Sequence, residues 1–282
     1  MKRQSDAFGG RAAYAPTAFA AMAARAAFAA MTARAAFAAV TAGTVLVAVA
    51  ATDARAGDDA APEKDRAARF DTVLFWGAGT GAPGTDSADS SASIGFVTAL
   101  NGDIGRSGWT ITSSAGLGHT KAPLSRTRSF YSSLLVGHQW MQPGYYFSLS
   151  AGLHYRNNSE RPAGGPTDGA DAGATIQYGF ETRAVDALYF HSYGAWSTVA
   201  DQVYFHVKAG RRTQRLRFGG EFTVSDDAWS RPTLRTGVFV GDIALPGSVA
   251  MAVSAGYLRH LEPGKSDGFY ATAGFSMPLR LR

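Results

Sequence analysis

Beyond residue 70, bulky apolar residues recur at every second position over runs of about ten residues. No stretch there keeps apolar residues at helical spacing, so the period of two predicts strands. Ten residues is also the length at which a tilted strand crosses a bilayer. Val249, Met251, Val253, Ala255 and Tyr257 form one face of such a run, with Ala250, Ala252, Ser254 and Gly256 on the other. Tyr145, Phe147, Leu149, Ala151, Leu153 and Tyr155 alternate in the same way with Tyr146, Ser148, Ser150, Gly152 and His154.

Twelve segments carry the pattern: 71–79, 91–100, 108–118, 128–139, 144–155, 171–183, 187–198, 202–211, 215–224, 232–242, 248–259 and 268–278. Tight links follow the even-numbered segments, at 101–107, 141–143, 184–186, 212–214 and 243–247. Most longer, polar links follow the odd ones, among them 80–90, 156–170, 225–231 and 260–267; the link at 199–201 is the exception. In a two-sheet sandwich the bulky faces meet in a core, whereas in a membrane barrel they face lipid and the small or polar faces line a lumen. Strand length, an even count and alternating link lengths favour the barrel. The predicted fold is therefore all-β: an antiparallel transmembrane β-barrel of about 12 strands over 71–282, preceded by a helical signal peptide. Trp109, Trp140, Tyr145, Tyr155, Trp196, Tyr257, Phe269 and Tyr270, near strand ends, are expected in two interfacial aromatic girdles. The loop 156–170 is the expected surface contact.

The N-terminal region reads as an address. An uncharged stretch at 35–51 follows Arg34 and precedes Ala54, Arg55 and Ala56, the order of a secretory signal peptide cleaved before Gly57. Seventeen residues are also just long enough for an inner-membrane anchor, which is the alternative. A tandem repeat, ARAAFAAMT at 24–32 and ARAAFAAVT at 33–41, leaves open that translation starts at Met31. The domains are thus 1–56 as signal peptide, 57–70 as a charged, proline-containing periplasmic tail, and 71–282 as the barrel. The expected location is the bacterial outer membrane, with its lipid as a partner.

Charge supports no nucleic-acid partner. Of 27 cations and 22 anions, six cations and two anions lie in 1–56, leaving 21 against 20 in the remainder. The absence of cysteine excludes disulfides, thiolate metal sites and a cysteine nucleophile.

Three stretches carry a family likeness: ALNGDIG at 99–105 with Gly108, LVGHQ at 135–139, and SAGYL at 254–258 followed by FYATAG at 269–274. Across about 71–278 the chain resembles the cellulose-biosynthesis protein BcsS family of alphaproteobacteria. The resemblance implies an outer-membrane barrel with a role in exporting, anchoring or organising cellulose or another glucan at the cell surface, beside other cellulose-synthesis components. It brings no known catalytic or binding residues. Two positions depart from expectation. The chain ends MPLRLR instead of on an aromatic residue, so either Phe275 takes that part in assembly or assembly follows another route, and His138 stands where an aromatic residue is expected.

Catalytic patterns are absent. The mature region has no G-x-S-x-G elbow, and His191 and Ser192, as neighbours in a strand, face opposite ways. His119, His138, His154, His206 and His260 show no metal-ligand spacing, and no cofactor is expected. The glycine-rich stretch 77–84 lacks the Lys-Ser/Thr and helix of a phosphate loop and reads as a flexible outer loop. The expectation is a barrel that is not an enzyme, with a small porin or a lipid-modifying enzyme as alternatives. The candidate lumen-facing polysaccharide contacts are Tyr146, His154, Gln177, Glu181, Tyr193, Tyr204, His206, Lys208, Arg215, Arg217 and Glu221, with Tyr189, His191 and Tyr193 in the same inward series. Tyrosine faces and hydrogen-bonding groups suit a glucan. Alternatively, the inward charges neutralise one another and plug the barrel.

Overall fold

Alternation along each strand is realised as a closed sheet. The computed structural model describes residues 70–84, 87–165, 167–228, 230–261 and 265–281. The expected signal peptide at 1–56 and nearly all of the expected tail at 57–70 lie outside the described residues. Twelve strands follow in order: β1 (Thr72–Pro83), β2 (Ala88–Ala99), β3 (Gly108–Lys121), β4 (Arg126–Met141), β5 (Tyr145–Arg161), β6 (Gly169–Thr182), β7 (Ala187–Ser197), β8 (Gln202–Arg212), β9 (Arg217–Asp227), β10 (Ser230–Leu245), β11 (Val249–His260) and β12 (Gly268–Leu279). Each pairs with its sequence neighbours, and β1 closes antiparallel on β12 from Thr72↔Leu279 to Pro83↔Gly268. Closure leaves no unpaired edge.

The faces divide as the alternation requires. Leu134, Val136 and Leu153 are 53%, 52% and 68% exposed on the outside, whereas Leu135, between the first two, is 1% exposed. A chain that places its bulky apolar groups outward around a closed cylinder buries them in lipid. Aromatic residues gather at both rims of that outer surface. At the end carrying the chain termini, Trp109, His138 and Trp140 touch in series (centroids 5.4 and 4.5 Å), and Trp140 continues to Phe147 at 5.1 Å. At the opposite rim, Phe130 meets Tyr155 and Tyr257 meets Phe269. His138 thus takes an aromatic place in the girdle. From Trp140 to Phe130 the strand advances about 33 Å, or about 23 Å along the normal at a tilt of ~45°, close to the ~25 Å apolar band of such barrels. Tyr270 departs from the expected girdle. Its neighbour Phe269 points out at 71% exposure, so Tyr270 points in at 4%.

The connections at the far rim are shorter than the polar segments predicted. β4 and β5 remain paired to Arg126↔Arg161, so the expected loop 156–170 contracts to 162–168. Polar residues above the apolar band still satisfy their backbone groups by pairing, and polarity alone does not end a strand. The glycine stretch 77–84 is likewise corrected: 77–83 belongs to β1, not to a loop. A Cβ at Gly77 would lie 2.9 Å from the carbonyl oxygen of Ala273 on β12, so close backbone approach at the seam explains the glycine.

The terminus end is closed on the β1–β2 side. Val73, Val97, Ala99 and Ile104 form a small buried cluster with Phe70 and Phe75 against it. Gln139 on β4 donates from Nε2 to the carbonyls of Ile104 (2.8 Å) and Arg106 (2.7 Å), folding the 100–107 connection beneath the barrel.

Candidate functional site in the barrel lumen

Inward side chains fall into three levels. Nearest the terminus end, β6, β8, β9 and β10 contribute Glu181, Arg212, Arg217 and Asp242. Arg217 Nη1 lies 2.9 Å from Glu181 Oε1 and its Nε 2.8 Å from Asp242 Oδ2. Arg212 hydrogen-bonds the same Glu181 oxygen, and its Nη1 donates to the Thr182 carbonyl at 2.7 Å. Both guanidinium groups lie over the ring of Tyr189 on β7, 5.1 and 4.9 Å from its centroid, and Arg217 also donates to the Tyr189 hydroxyl at 2.7 Å. Glu181, Arg212 and Arg217 are each 3% exposed. Two anions and two cations therefore neutralise one another in a floor across half the barrel.

Above it, Glu221 on β9 is held from four sides. Ser254 donates at 2.9 Å and Tyr270 at 2.7 Å, while Lys208 Nζ lies 3.3 Å and His206 Nε2 3.4 Å away. Lys208 also sits over Phe239, which packs on Tyr189 and joins the two levels.

The third level is a cavity of about 620 Å³. Of the predicted residues, His154, Gln177, Tyr193, Tyr204, His206, Lys208 and Arg217 line it. Tyr146, Glu181 and Glu221 face inward but are packed away at 5%, 3% and 6% exposure. Arg215 is not in the lumen. β9 begins at Arg217, and Arg215 is exposed in the tight turn closed by Thr213 N–H on the Leu216 carbonyl, 2.8 Å.

Sequence reasoning missed Asp242, whose parity assigns it outward. A bulge between Val240 and Ile243 sets Gly241 and Asp242 opposite the single residue Ala252, and Asp242 takes φ 61°, which turns its carboxylate inward. The dipeptide Gly-Asp inside an apolar run was the available signal. Also missed was a serine–histidine contact: His154 Nδ1 lies 2.8 Å from Ser197 Oγ at the cavity wall. That hydroxyl also accepts the Val199 N–H at 3.1 Å and so anchors the turn after β7. Among the described residues, no three His, Cys, Asp or Glu are placed to hold a metal ion.

A closed antiparallel cylinder with an outward apolar band between two aromatic rims and a polar lumen is a transmembrane β-barrel of the kind built into bacterial outer membranes. The model of the family described as cellulose biosynthesis protein BcsS matches residues 83–279, and the chain belongs to that family. No curated protein sequence matches it. Similar solved structures include the β domain of the Bordetella autotransporter BrkA, at 11% identity and TM-score 0.47 over 75% of this chain and 100% of that one. The translocator domain of the autotransporter NalP from Neisseria meningitidis is another, at 13% identity and TM-score 0.44 over 74% and 89%. The transport unit of AIDA-I from Escherichia coli is similar at 11% identity and TM-score 0.41 over 82% and 97%.

Proposed function

We propose that this protein is a non-enzymatic outer-membrane accessory of cellulose biosynthesis that aids export by organising the polymer at the cell surface. Family membership supports the cellulose connection. The observation that carries the choice of surface organisation over passage of the chain is the buried floor of Glu181, Arg212, Arg217 and Asp242 on one half of the barrel, together with the 100–107 connection folded in on the β1–β2 side, which narrows the section a translocating polymer would need. The partners are then outer-membrane lipid, the emerging glucan and other cellulose-synthesis components. A porin function fits this floor less well, because a porin keeps an aqueous channel.

Deleting the gene and restoring it from a plasmid tests the reading. Surface-bound cellulose, measured by dye binding and by its distribution over the cell, is expected to fall or to detach into the medium. Unchanged amount and placement of the polymer would remove the cellulose role.

A further inference from the structure

The cavity above the floor has a chemistry of its own. Its volume of about 620 Å³ falls in the ~300–1,000 Å³ range of small-molecule sites. Tyr131, Tyr193, Tyr204, His154, Gln177 and Ser197 supply much of its wall, combining aromatic rings with neutral donors and acceptors. Tyr193 on β7 and Tyr204 on β8 stand 5.6 Å apart at 62°, so their rings present differently angled surfaces.

The charged groups beneath are engaged with one another: Lys208 with Glu221, and Arg217 with Glu181 and Asp242. Arg156, higher on the wall, donates from Nε to Asn158 at 3.2 Å. An anionic ligand therefore finds Lys208 and Arg217 already neutralised by carboxylates. A neutral polyol finds rings for its C–H faces and partners for its hydroxyls.

Access has a direction. Wall residues near the rim opposite the termini, among them Ser129, Arg156 and Gln202, are partly exposed. At the terminus end, Arg217, Ala250 and Ser276, which bound the same cavity, are buried at 3–4% exposure.

We infer that the lumen is a blind cup that takes a neutral linear oligosaccharide from the rim opposite the termini, with sugar rings against Tyr131, Tyr193 and Tyr204. The identity of that sugar as a β-glucan rests on the proposed cellulose role; the cup and its direction rest on the geometry. The barrel does not pass the chain but grips it from outside.

Cellotetraose titrated into the barrel, purified from outer membranes in an amine-oxide detergent whose headgroup carries no sugar, tests this by calorimetry and tyrosine fluorescence. Saturable binding of one cellotetraose per barrel is expected, with an anionic oligogalacturonate failing to compete. Tyr204→Ala is expected to weaken binding about tenfold. Gln177→Ala provides a second variant, and folding of both is checked by unheated gel migration. No saturable binding by the wild-type barrel, effective competition by the anionic sugar, or unchanged affinity in both folded variants would overturn the cup. The two readings fail separately. Normal cellulose in the deletion strain removes the cellulose role while cellotetraose binding stands, and absent binding beside altered cellulose removes the cup alone.

Discussion

Arg217 on β9 reaches back past β8 and β7 to place Nη1 2.9 Å from Oε1 of Glu181 on β6. Glu181 is the shared acceptor of both floor arginines, so its removal leaves two buried guanidinium groups with Asp242 as their remaining carboxylate. Breaking a buried ion network by deleting one partner costs about 3–5 kcal/mol. Glu181→Ala is expected to lower the unfolding free energy in lipid vesicles by that order, as read from urea titration. In planar bilayers the wild type is expected to carry no steady current and the variant to leak. Equal stability together with equal conductance would contradict the floor.

The barrel seam carries a ring pair of its own. Phe275 on β12 stacks on Trp76 of β1, with centroids 5.5 Å apart and planes 10° from parallel. Phe275→Ala is expected to remove about 0.5–1.5 kcal/mol of pairing and to slow assembly, measured as the folded fraction on unheated gels over time. Phe275→Trp is expected to restore both. Assembly of Phe275→Ala at the wild-type rate would assign the assembly signal elsewhere.

Much of this is legible in the sequence, and for a definite reason. Period-two alternation fixes face and strand together, so all twelve strands and the inward direction of Tyr146, Glu181 and Glu221 follow from counting residues. Counting fails where backbone geometry intervenes. Arg215 shares parity with Arg217 but lies beyond the strand end, in a turn where the Thr213 hydroxyl accepts the Leu216 N–H at 3.0 Å. Asp242 breaks parity through the bulge, and the His154–Ser197 contact joins strands whose spacing around the cylinder is set by closure, not by sequence distance.

The His154–Ser197 contact bears on catalysis. A serine hydrolase needs a free hydroxyl beside an oriented base, whereas the Ser197 hydroxyl also receives a backbone N–H from Val199. The purified barrel is expected to hydrolyse p-nitrophenyl butyrate no faster than detergent alone. Hydrolysis lost in Ser197→Ala would establish an enzyme.

A pH dependence is expected at the loop between β5 and β6. The N–H groups of Gly164 and Glu160, each 3.1 Å from an Asp168 oxygen, hold its carboxyl below the usual carboxylate range. A depressed folded value means that the ordering is present above the ordinary range and is lost as pH falls through the lowered one. Protease nicking of the 162–168 loop is expected to stay at its neutral-pH level through mild acid and to rise only in stronger acid. Asp168→Asn is expected to flatten that profile; an identical acid rise in the variant would place the control elsewhere.

The outward apolar face is tested most directly by cysteine labelling, because the chain contains no cysteine of its own. Leu134→Cys, Val136→Cys and Leu153→Cys, against the inward Ser133→Cys, each carry a thiol-linked fluorophore in vesicles containing brominated lipid. Strong quenching at 134, 136 and 153 with weak quenching at 133 is the predicted result. Quenching at 133 equal to or stronger than at its neighbours would contradict a barrel whose bulky side chains face the membrane.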